Sequence, residues 1–248
     1  MDHLLRATAA AEQRHFWFRG FRYFVTPLLE RATANRTSLR LLDCGCGTGN
    51  NLDLLGRFGL AFGFDLTASG LEFGRTAGRT RLARASIGSI PFSDASFDIV
   101  TSFDVLYSLP DPVEHAAIRE MYRVTKPGGW LLVNVAAMEM LRGDHSVLSH
   151  EVRRYSRQGL SRLVTGAGFT IDRITYTNAV LFPPMALARA VQRARGLSDE
   201  QHADDEISVP AAPVNTALSV LLKVESWWLR AVNNPFGSSL LCLARKPG

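Results

Sequence analysis

Residues 41–52, Leu-Leu-Asp-Cys-Gly-Cys-Gly-Thr-Gly-Asn-Asn-Leu, decide the fold of this 248-residue chain. The apolar start of the stretch is typical of a buried strand, and a helical pattern begins after Asn50. Gly45, Gly47 and Gly49 lie between the two. Glycine lets a backbone approach a ligand closely, and the start of a helix offers free N–H groups to an anion. The stretch therefore predicts a ligand-binding turn between a strand and a helix, with an ordinary connecting turn as the alternative.

Strands and helices alternate on both sides of this glycine turn. Such alternation, with strands that are apolar throughout, predicts a parallel sheet covered by helices on both faces. Pro127, Gly128 and Gly129 are expected to end the last helix of the series. The predicted strands are residues 39–43, 60–65, 82–86, 97–102 and 130–135, and the predicted helices are residues 50–58, 68–79 and 112–125.

The remaining segments predict a core with two covering parts. The core would be residues 38–177 and 237–248, after an N-terminal helical cover at residues 1–37. Residues 178–236 would form a helical insertion between the last two strands. The elements expected here are helices at 16–29, 157–167, 185–195 and 214–232, strands at 169–177 and 240–245, and a polar linker at 198–206.

The composition excludes several classes of protein. Hydrophobic residues make up 46% of the chain and the mean hydropathy is +0.02, which suits a folded domain with a sizeable core. The start Met1–Arg6 lacks the features of a secretion signal, and no apolar stretch is long enough to span a membrane. Three cysteines are too few for a disulfide framework. We therefore expect a cytoplasmic protein.

Two nucleotide-type ligands compete for the glycine turn. The dinucleotide fingerprint has the spacing G-x-G-x-x-G, but here Asn50 occupies the third glycine position and the spacing is G-x-G-x-G. Asp65, which ends the second predicted strand, would bind a ribose in either case. The turn itself therefore disfavours a nicotinamide dinucleotide.

Four motifs follow one another along the chain. They are Asp-x-Gly-x-Gly-x-Gly at 43–49, Asp65, Ser-Ile-Pro-Phe-Ser-Asp-Ala-Ser-Phe-Asp-Ile-Val at 89–100, and Ile-Arg-Glu-Met-Tyr-Arg-Val-Thr-Lys-Pro-Gly-Gly at 118–129. On these motifs the chain resembles the class I S-adenosylmethionine-dependent methyltransferases. Residues 15–22, 150–155 and 176–184 also resemble a bacterial subgroup of the type 11-like methyltransferase domains. The resemblance implies an α/β, Rossmann-like fold with a seven-stranded, mostly parallel sheet, helices on both faces and an antiparallel last strand.

The resemblance also implies a methyl donor, S-adenosyl-L-methionine, which is converted to S-adenosyl-L-homocysteine. The backbone of Gly45–Gly47 would meet the methionine part of the donor, Asp43 its amino group and Asp65 both ribose hydroxyls. Ser86 stands where the family often has an acid that accepts the adenine amino group, which weakens that contact. We expect no metal site, because Cys44-x-Cys46 has no second ligand pair. The full set of predicted cofactor-binding residues is Asp43, Gly45, Cys46, Gly47, Asn50, Asp65, Leu66, Ser86, Ile87, Phe103, Arg19 and Trp17.

The residues that act on the methyl acceptor are less well defined. Methyl transfer from a sulfonium needs orientation and a dry site, and needs a base only when the acceptor arrives protonated. The predicted catalytic residues are His150, His145 and Tyr107, each with a solvated or packing role as its alternative. The predicted substrate-binding residues are Phe18, Tyr107, Arg153 and Tyr155.

The leading function is methyl transfer to an oxygen or nitrogen of a small, partly apolar molecule. The alternatives are a catalytically silent cofactor-binding module, a methyltransferase for a lipid-linked acceptor, a nicotinamide-linked oxidoreductase and an RNA methyltransferase. The net charge of +5 is concentrated in residues 1–40 and 142–195, outside the predicted cofactor core. This hints at an anionic group on the acceptor or a nearby anionic surface, and we expect no nucleic-acid partner.

The role of the insertion at residues 178–236 stays open between a substrate lid, a dimer contact and a membrane-surface element. Residues 185–195 are basic and amphipathic, and Trp227 and Trp228 suit a membrane interface. We expect weak or no binding to anionic liposomes, and a monomer or homodimer in solution.

Overall fold

In the computed structural model, the described residues are 11–12, 14–34, 36–195 and 209–248, without the side chains of His145 and Leu148. The linker predicted at 198–206 lies outside this part of the chain. The strands are β1 (Leu39–Cys44), β2 (Gly59–Asp65), β3 (Leu82–Arg84), β4 (Phe97–Phe103), β5 (Thr125–Ala136), β6 (Thr170–Thr177) and β7 (Ser239–Arg245). The helices are α1 (Phe16–Thr33), α2 (Asn51–Leu55), α3 (Ala68–Thr76), α4 (Asp111–Val124), α5 (Asp144–Leu148), α6 (Arg157–Gly166), α7 (Phe182–Arg195) and α8 (Ala212–Trp228), with short 3₁₀ turns at Leu106–Ser108 and Glu139–Leu141.

The described strands form one sheet in the order β3-β2-β1-β4-β5-β7-β6. Strands β1 to β5 are parallel, whereas β7 runs antiparallel between β5 and β6. The predicted seven-stranded, mostly parallel α/β fold is therefore confirmed. The strand order reverses between β1 and β4, and in such sheets ligands bind beyond the carboxyl ends of the strands at that point. The glycine turn follows β1 and so lies at this position.

The segment Lys126–Gly129 corrects a predicted boundary. Helix α4 already ends at Val124, and Thr125 is extended, so β5 begins five residues earlier than predicted. The pairing of β4 with β5 shifts register between Phe97 and Ile99, and Gly128 takes a φ of 72°. The proline and glycines therefore form an irregularity at the start of a strand rather than the stop of a helix. Strand β3 and helices α2 and α3 are also shorter than predicted.

Helices α1 and α8 cover one face of the sheet and pack against each other. Gly20 of α1 allows this close approach, because a Cβ there would lie 2.2 Å from Cδ1 of Leu222. Leu222 is fully buried in one apolar cluster with residues of α1, β1, β4, β5 and β7. The N-terminal segment and the insertion thus share a core although they are far apart in sequence.

Helix α7 lies on the surface, with no buried residue. Pro183 and Pro184, which lie before the helix predicted at 185–195, belong to the first turn of α7, so the helix starts three residues earlier than predicted. Proline is tolerated there because the first N–H groups of a helix have no intrahelical partner. Among the described helices, none is long and apolar enough to cross a membrane.

Candidate cofactor and acceptor site

The glycine turn is held by hydrogen bonds to the next strand. The amides of Gly45 and Cys46 both donate to the carbonyl of Phe64 at 2.9 Å. Gly45 has a φ of 79°, and a Cβ there would lie 2.5 Å from Cγ2 of Val105. This position therefore requires glycine, both for its left-handed backbone conformation and for its lack of a side chain. Gly47 has a φ of 55°, but no described atom lies within 4 Å of its Cβ position. The turn is therefore packed at Gly45 and open at Gly47.

Asp65 ends β2 and connects this strand to the glycine turn. One carboxylate oxygen accepts from the amide of Gly47 and the other from the amide of Thr67, both at 2.8 Å. Each oxygen has a second lone pair, so the half-buried carboxylate can still accept two hydroxyl donors. Asp65 thus shapes the turn and keeps the capacity predicted for ribose binding.

Asp43 is a buried carboxyl group beneath the same turn. Its Oδ1 accepts from the Thr101 hydroxyl at 2.8 Å, but the buried Oδ2 has no partner in normal hydrogen-bond geometry among the described residues. Burial raises the pKa of Asp43 to about 7, against the opposing effects of hydrogen bonding from Thr101 and Asn51, and the charge of Asp65 raises it further. A buried carboxylate with an unpaired oxygen is stabilised by a cationic ligand. The site therefore fits S-adenosylmethionine, which carries an ammonium and a sulfonium charge.

Arg79 supports the glycine turn from outside, and the sequence analysis did not predict it. Its guanidinium donates to the carbonyl of Thr48 at 3.2 Å and pairs with Asp53 at 2.8 Å. The Thr48 hydroxyl in turn donates to Glu12, and burial raises the pKa of that carboxyl. The segment before α1 therefore reaches the glycine turn.

The remaining predicted cofactor residues differ widely in exposure. Leu66 is 65% exposed and Ser86 is exposed beyond the edge strand, whereas Ile87 is buried. Cys46 and Asn50 are buried in the turn, and burial raises the pKa of the Cys46 thiol, which makes it unreactive. Their contacts with a cofactor stay predictions.

A cavity of about 640 Å³, here called the acceptor cavity, lies beyond the carboxyl ends of β4 and β5. Its walls are largely apolar. The start of α1, helix α7 and Leu218 of α8 contribute side chains to it, and Asp104 and Ala136 follow or end the two strands. The lining residues are His15, Phe16, Trp17, Phe18, Asp104, Tyr107, Ala136, Ser149, Glu151, Arg154, Leu181, Pro184, Met185, Ala188, Arg189, Pro210, Leu218, Ser238 and Ser239.

Asp104 is exposed to this cavity while protein surrounds it on the other sides. It has a φ of 60°, and its Oδ1 accepts from the Asn134 side chain of β5 at 2.8 Å. Desolvation raises the pKa of Asp104 to about 7; the Asn134 hydrogen bond lowers it, Glu151 raises it and Arg154 lowers it. A carboxyl group that titrates near neutrality therefore faces the acceptor cavity.

Glu151 and Arg154 form a buried ion pair at the cavity wall, with a 2.8 Å contact between Nε and Oε2. Arg154 also donates to the carbonyl of Ala137 at 3.1 Å, just beyond β5. Because Glu151 and Arg154 neutralise each other, Arg154 is not available as an ion-pair partner for Asp104. Arg154 belongs to the H-x-x-R-R-Y element at residues 150–155 on which the subgroup resemblance rests, whereas Glu151 occupies one of its variable positions.

Three of the predicted site residues line the acceptor cavity. They are Tyr107, Trp17 and Phe18, and burial together with the charges of Asp104 and Glu151 raises the pKa of the Tyr107 hydroxyl. Trp17, predicted for the cofactor, thus lies on the acceptor side.

Phe103 and Arg19, also predicted to bind the cofactor, do not line that cavity. Phe103 is buried and packs edge-on against Phe21 of α1, with ring centroids 4.9 Å apart. Arg19 is half-buried in α1.

Arg153 and Tyr155, predicted to bind substrate, lie instead in a surface groove between α4 and α6. Arg153 pairs with Asp111 at 2.5 Å and with Glu114 at 3.1 Å. The Tyr155 hydroxyl donates to Glu114 in a short hydrogen bond. Both side chains are therefore engaged with α4.

The two predicted histidine bases lie in the segment around α5. His145 belongs to that helix, and its side chain lies outside the described part of the structure. His150 is exposed, has a φ of 49° and is not among the residues that line the acceptor cavity. Their catalytic role stays a prediction. No three described His, Cys, Asp or Glu side chains cluster closely enough to hold a metal ion.

The fold and the turn define a Rossmann-like protein, a class whose members bind nucleoside-type cofactors where the strand order reverses, here between β1 and β4. A family model described as a methyltransferase domain matches residues 42–133. The demethylmenaquinone methyltransferase of Roseiflexus sp. (strain RS-1) is 32% identical over 187 residues, which are 72% of this chain and 75% of that protein.

Two further relatives agree with this match. The ubiquinone/menaquinone biosynthesis C-methyltransferase UbiE of Shewanella woodyi is 32% identical over 57% of each chain. Phosphoethanolamine N-methyltransferase 2 of Haemonchus contortus, solved with S-adenosyl-L-methionine, superposes with a TM-score of 0.62 at 20% identity, over 100% of this chain and 58% of that one. This chain belongs to the S-adenosylmethionine-dependent methyltransferases, and S-adenosyl-L-methionine is its cofactor.

Proposed function

We propose that this methyltransferase methylates an oxygen or nitrogen of a small, largely apolar molecule that binds in the acceptor cavity. The observation that carries this proposal is the cavity itself, which combines aromatic and aliphatic walls with one carboxyl group, Asp104. Cavities of this kind bind drug-sized ligands through apolar contact and use a few polar groups for orientation. The relatives named as demethylmenaquinone methyltransferases support an apolar, ring-bearing acceptor.

On the donor side, we propose that Asp43, Gly47 and Asp65 hold the cofactor. The unpaired Oδ2 of Asp43 would accept from its amino group, directly or through water, and Asp65 would accept from its ribose hydroxyls. The open space at Gly47 would let the cofactor approach the backbone. When bound, S-adenosylmethionine supplies a methyl group activated by a sulfonium leaving group.

On the acceptor side, we propose that the insertion at residues 178–236 serves as a lid. Helix α7 contributes Pro184, Met185 and Ala188 to the cavity wall, opposite Trp17 and Phe18 of α1. These side chains would exclude water and hold the acceptor in line with the methyl group, which is the main contribution a protein can make to such a displacement.

We further propose a weak contact between α8 and a bilayer surface, which would bring an apolar acceptor close to the cavity. The outer face of α8 exposes Leu221 and Val224, with Trp227 and Trp228 each about 60% exposed. Exposed Lys223 lies beside Trp227, 5.9 Å from its ring, and would suit anionic headgroups.

Flotation with anionic vesicles tests this contact. We expect a minor fraction of the protein to float, and none after the double substitution Trp227→Ser and Trp228→Ser. Strong, salt-sensitive flotation would point to a lipid-linked acceptor, and dimers in light scattering would point to a second copy as the occupant of this face. A complete lack of flotation would contradict the contact. We propose a cytoplasmic location, in keeping with the free thiols of Cys44, Cys46 and Cys242.

Incubation with radiolabelled S-adenosylmethionine tests the proposed acceptor class. The probes are 1-naphthol, 1-naphthylamine and 1,4-naphthalenediol, with ethanolamine and transfer RNA as polar and nucleic-acid comparisons. We expect label on the apolar probes alone, and mass spectrometry would locate the methyl group. Methylation of a ring carbon would favour the chemistry named for the UbiE relatives. Label on RNA alone would contradict the proposal.

A further inference from the structure

We propose that Asp104 is the general base that removes the proton of the methyl acceptor. This inference rests on the proposed function, because it requires a hydroxylated or protonated acceptor in the acceptor cavity. It differs from the sequence prediction, which assigned the base to His150 or His145.

The first argument is the position of Asp104. It follows β4 directly, and its amide donates to the carbonyl of Asn134 on β5 at 3.0 Å, so the backbone is fixed between the two central strands. The residue faces the cavity beside the glycine turn, since Val105 is the residue against which Gly45 packs. An acceptor in this cavity would therefore contact Asp104 close to the glycine turn.

The second argument is the free hydrogen-bonding capacity of the carboxylate. Its Oδ1 accepts from Asn134, and this is its only hydrogen bond to a described side chain. Oδ2 can therefore accept from an acceptor hydroxyl, while the bond to Asn134 holds the orientation of the group.

The third argument is the charge environment. Glu151 and Arg154 lie on one side of Asp104 and pair with each other, and Tyr107, His15 and Arg189 are the other titratable or charged groups that line the cavity. Because no described side chain forms an ion pair with Asp104, its carboxylate is not held by a salt bridge. Desolvation by the protein around the cavity raises its pKa to about 7, which is close to the pH at which a general base is most effective.

The proposed proton transfer conserves atoms and charge. The O–H bond of the acceptor breaks, its proton passes to a carboxylate oxygen of Asp104, and the electron pair stays on the acceptor oxygen, which becomes the nucleophile. The neutral carboxylic acid then returns its proton to water when the product leaves. No oxidant, reductant or metal ion takes part in this step.

Asp104→Asn is a sharp test because the new side chain is nearly isosteric. Asparagine tolerates a φ of 60°, and its Oδ1 can still accept from Asn134. We expect the rate of 1-naphthol methylation to fall by about 10²- to 10⁴-fold, with unchanged affinity for S-adenosylhomocysteine. The wild-type rate should rise with pH through about 7, and this rise should disappear in the variant.

Asp172→Asn is the matched control, because Asp172 lies on β6 and pairs with Arg31 at the surface. It should keep the wild-type rate. His150→Ala separates the two candidate bases, since a large loss there together with a wild-type rate for Asp104→Asn would overturn the proposal and support the sequence prediction.

A second measurement does not depend on turnover. 4-Chloro-1-naphthol ionises above pH 7, where Asp104 carries its negative charge, and changes its absorbance on ionisation, so its protonation can be followed while it is bound with S-adenosylhomocysteine. If Asp104 faces the hydroxyl, removal of its negative charge should lower the pH at which the bound probe ionises by about one unit or more. Identical titrations in wild type and Asp104→Asn would overturn the assignment.

The two proposals fail in different ways. If neither naphthol binds, the acceptor class is wrong and the assignment of Asp104 fails with it. If both bind and the wild type methylates 1-naphthol, but Asp104→Asn behaves as wild type, the acceptor class stands and only the assignment of Asp104 is wrong.

Discussion

The donor side and the acceptor side of this enzyme are built in different ways. The proposed donor side comes from one short stretch of chain, because Asp43, Gly45 and Gly47 lie within five residues and the amide of Gly47 donates directly to Asp65. The acceptor side is assembled from α1, the ends of β4 and β5, and the distant helix α7. A local site can be recognised from spacing, whereas a site made by packing distant segments depends on the arrangement of the whole fold.

The largest effect is expected on the donor side, for Asp65→Ala. The variant loses two acceptor oxygens for the cofactor and the hydrogen bond that shapes Gly47. We expect affinity for S-adenosylhomocysteine to fall by about 2–4 kcal/mol, which calorimetry can measure. Asp172→Ala is the control, because Asp172 lies on β6 at the other end of the sheet and pairs with Arg31. Wild-type affinity in the Asp65 variant would remove this residue from the site.

Two of the left-handed glycines in the turn, Gly45 and Gly47, should separate effects on folding from effects on binding. Gly45→Ala forces a contact with Val105 and is expected to lower the free energy of unfolding by about 2–3 kcal/mol. Gly47→Ala adds a Cβ in open space, so it should cost only about 1 kcal/mol of stability but should weaken cofactor binding. Urea unfolding and calorimetry on both variants give the comparison. Equal losses of stability in the two variants would contradict a folding role for Gly45 and a binding role for Gly47.

The raised pKa of Asp43 predicts a specific pH dependence of stability. Between roughly pH 4 and pH 7 the folded state keeps a proton on Asp43 that the unfolded state has lost, so the free energy of unfolding falls as pH rises through this window. Asp43→Asn removes this contribution and keeps an acceptor for Thr101. From pH 5 to pH 8 the free energy of unfolding of the variant should therefore increase relative to that of the wild type by about 2 kcal/mol, which urea unfolding can measure. Parallel pH curves would show that Asp43 ionises normally.

The smallest effect is expected on the acceptor side, for Ala188→Trp. The larger side chain would fill part of the acceptor cavity and should raise KM for 1-naphthol by about tenfold, with unchanged cofactor affinity. Ala190→Trp is the matched control, because Ala190 is exposed on the same helix and does not line the cavity. Equal kinetics for the two variants would place the acceptor elsewhere.

The sequence predicted most of the fold, because strand and helix periods are local properties. It placed each strand of the described sheet within a few residues, and the error at β5 arose where proline and glycine begin a strand instead of ending a helix. It assigned Asp43 and Asp65 to the cofactor site from the motifs at the ends of β1 and β2, and their role there stays a prediction. The unpaired oxygen of Asp43 could not be predicted, because it depends on the burial of that side chain beneath the turn.

The residues around the proposed methyl-acceptor site, by contrast, could not be predicted from local sequence. Arg153 and Tyr155 lie next to Arg154 in the chain, but they point to the groove beside α4, while Arg154 lines both that groove and the acceptor cavity. Asp104 belongs to none of the motifs in the sequence, and its pKa depends on Asn134, Glu151 and the cavity walls around it. The family and the donor site thus follow from residues close together in the chain. The acceptor cavity and the state of Asp104 follow only from tertiary packing, because burial and neighbouring charge are set by segments far apart in sequence.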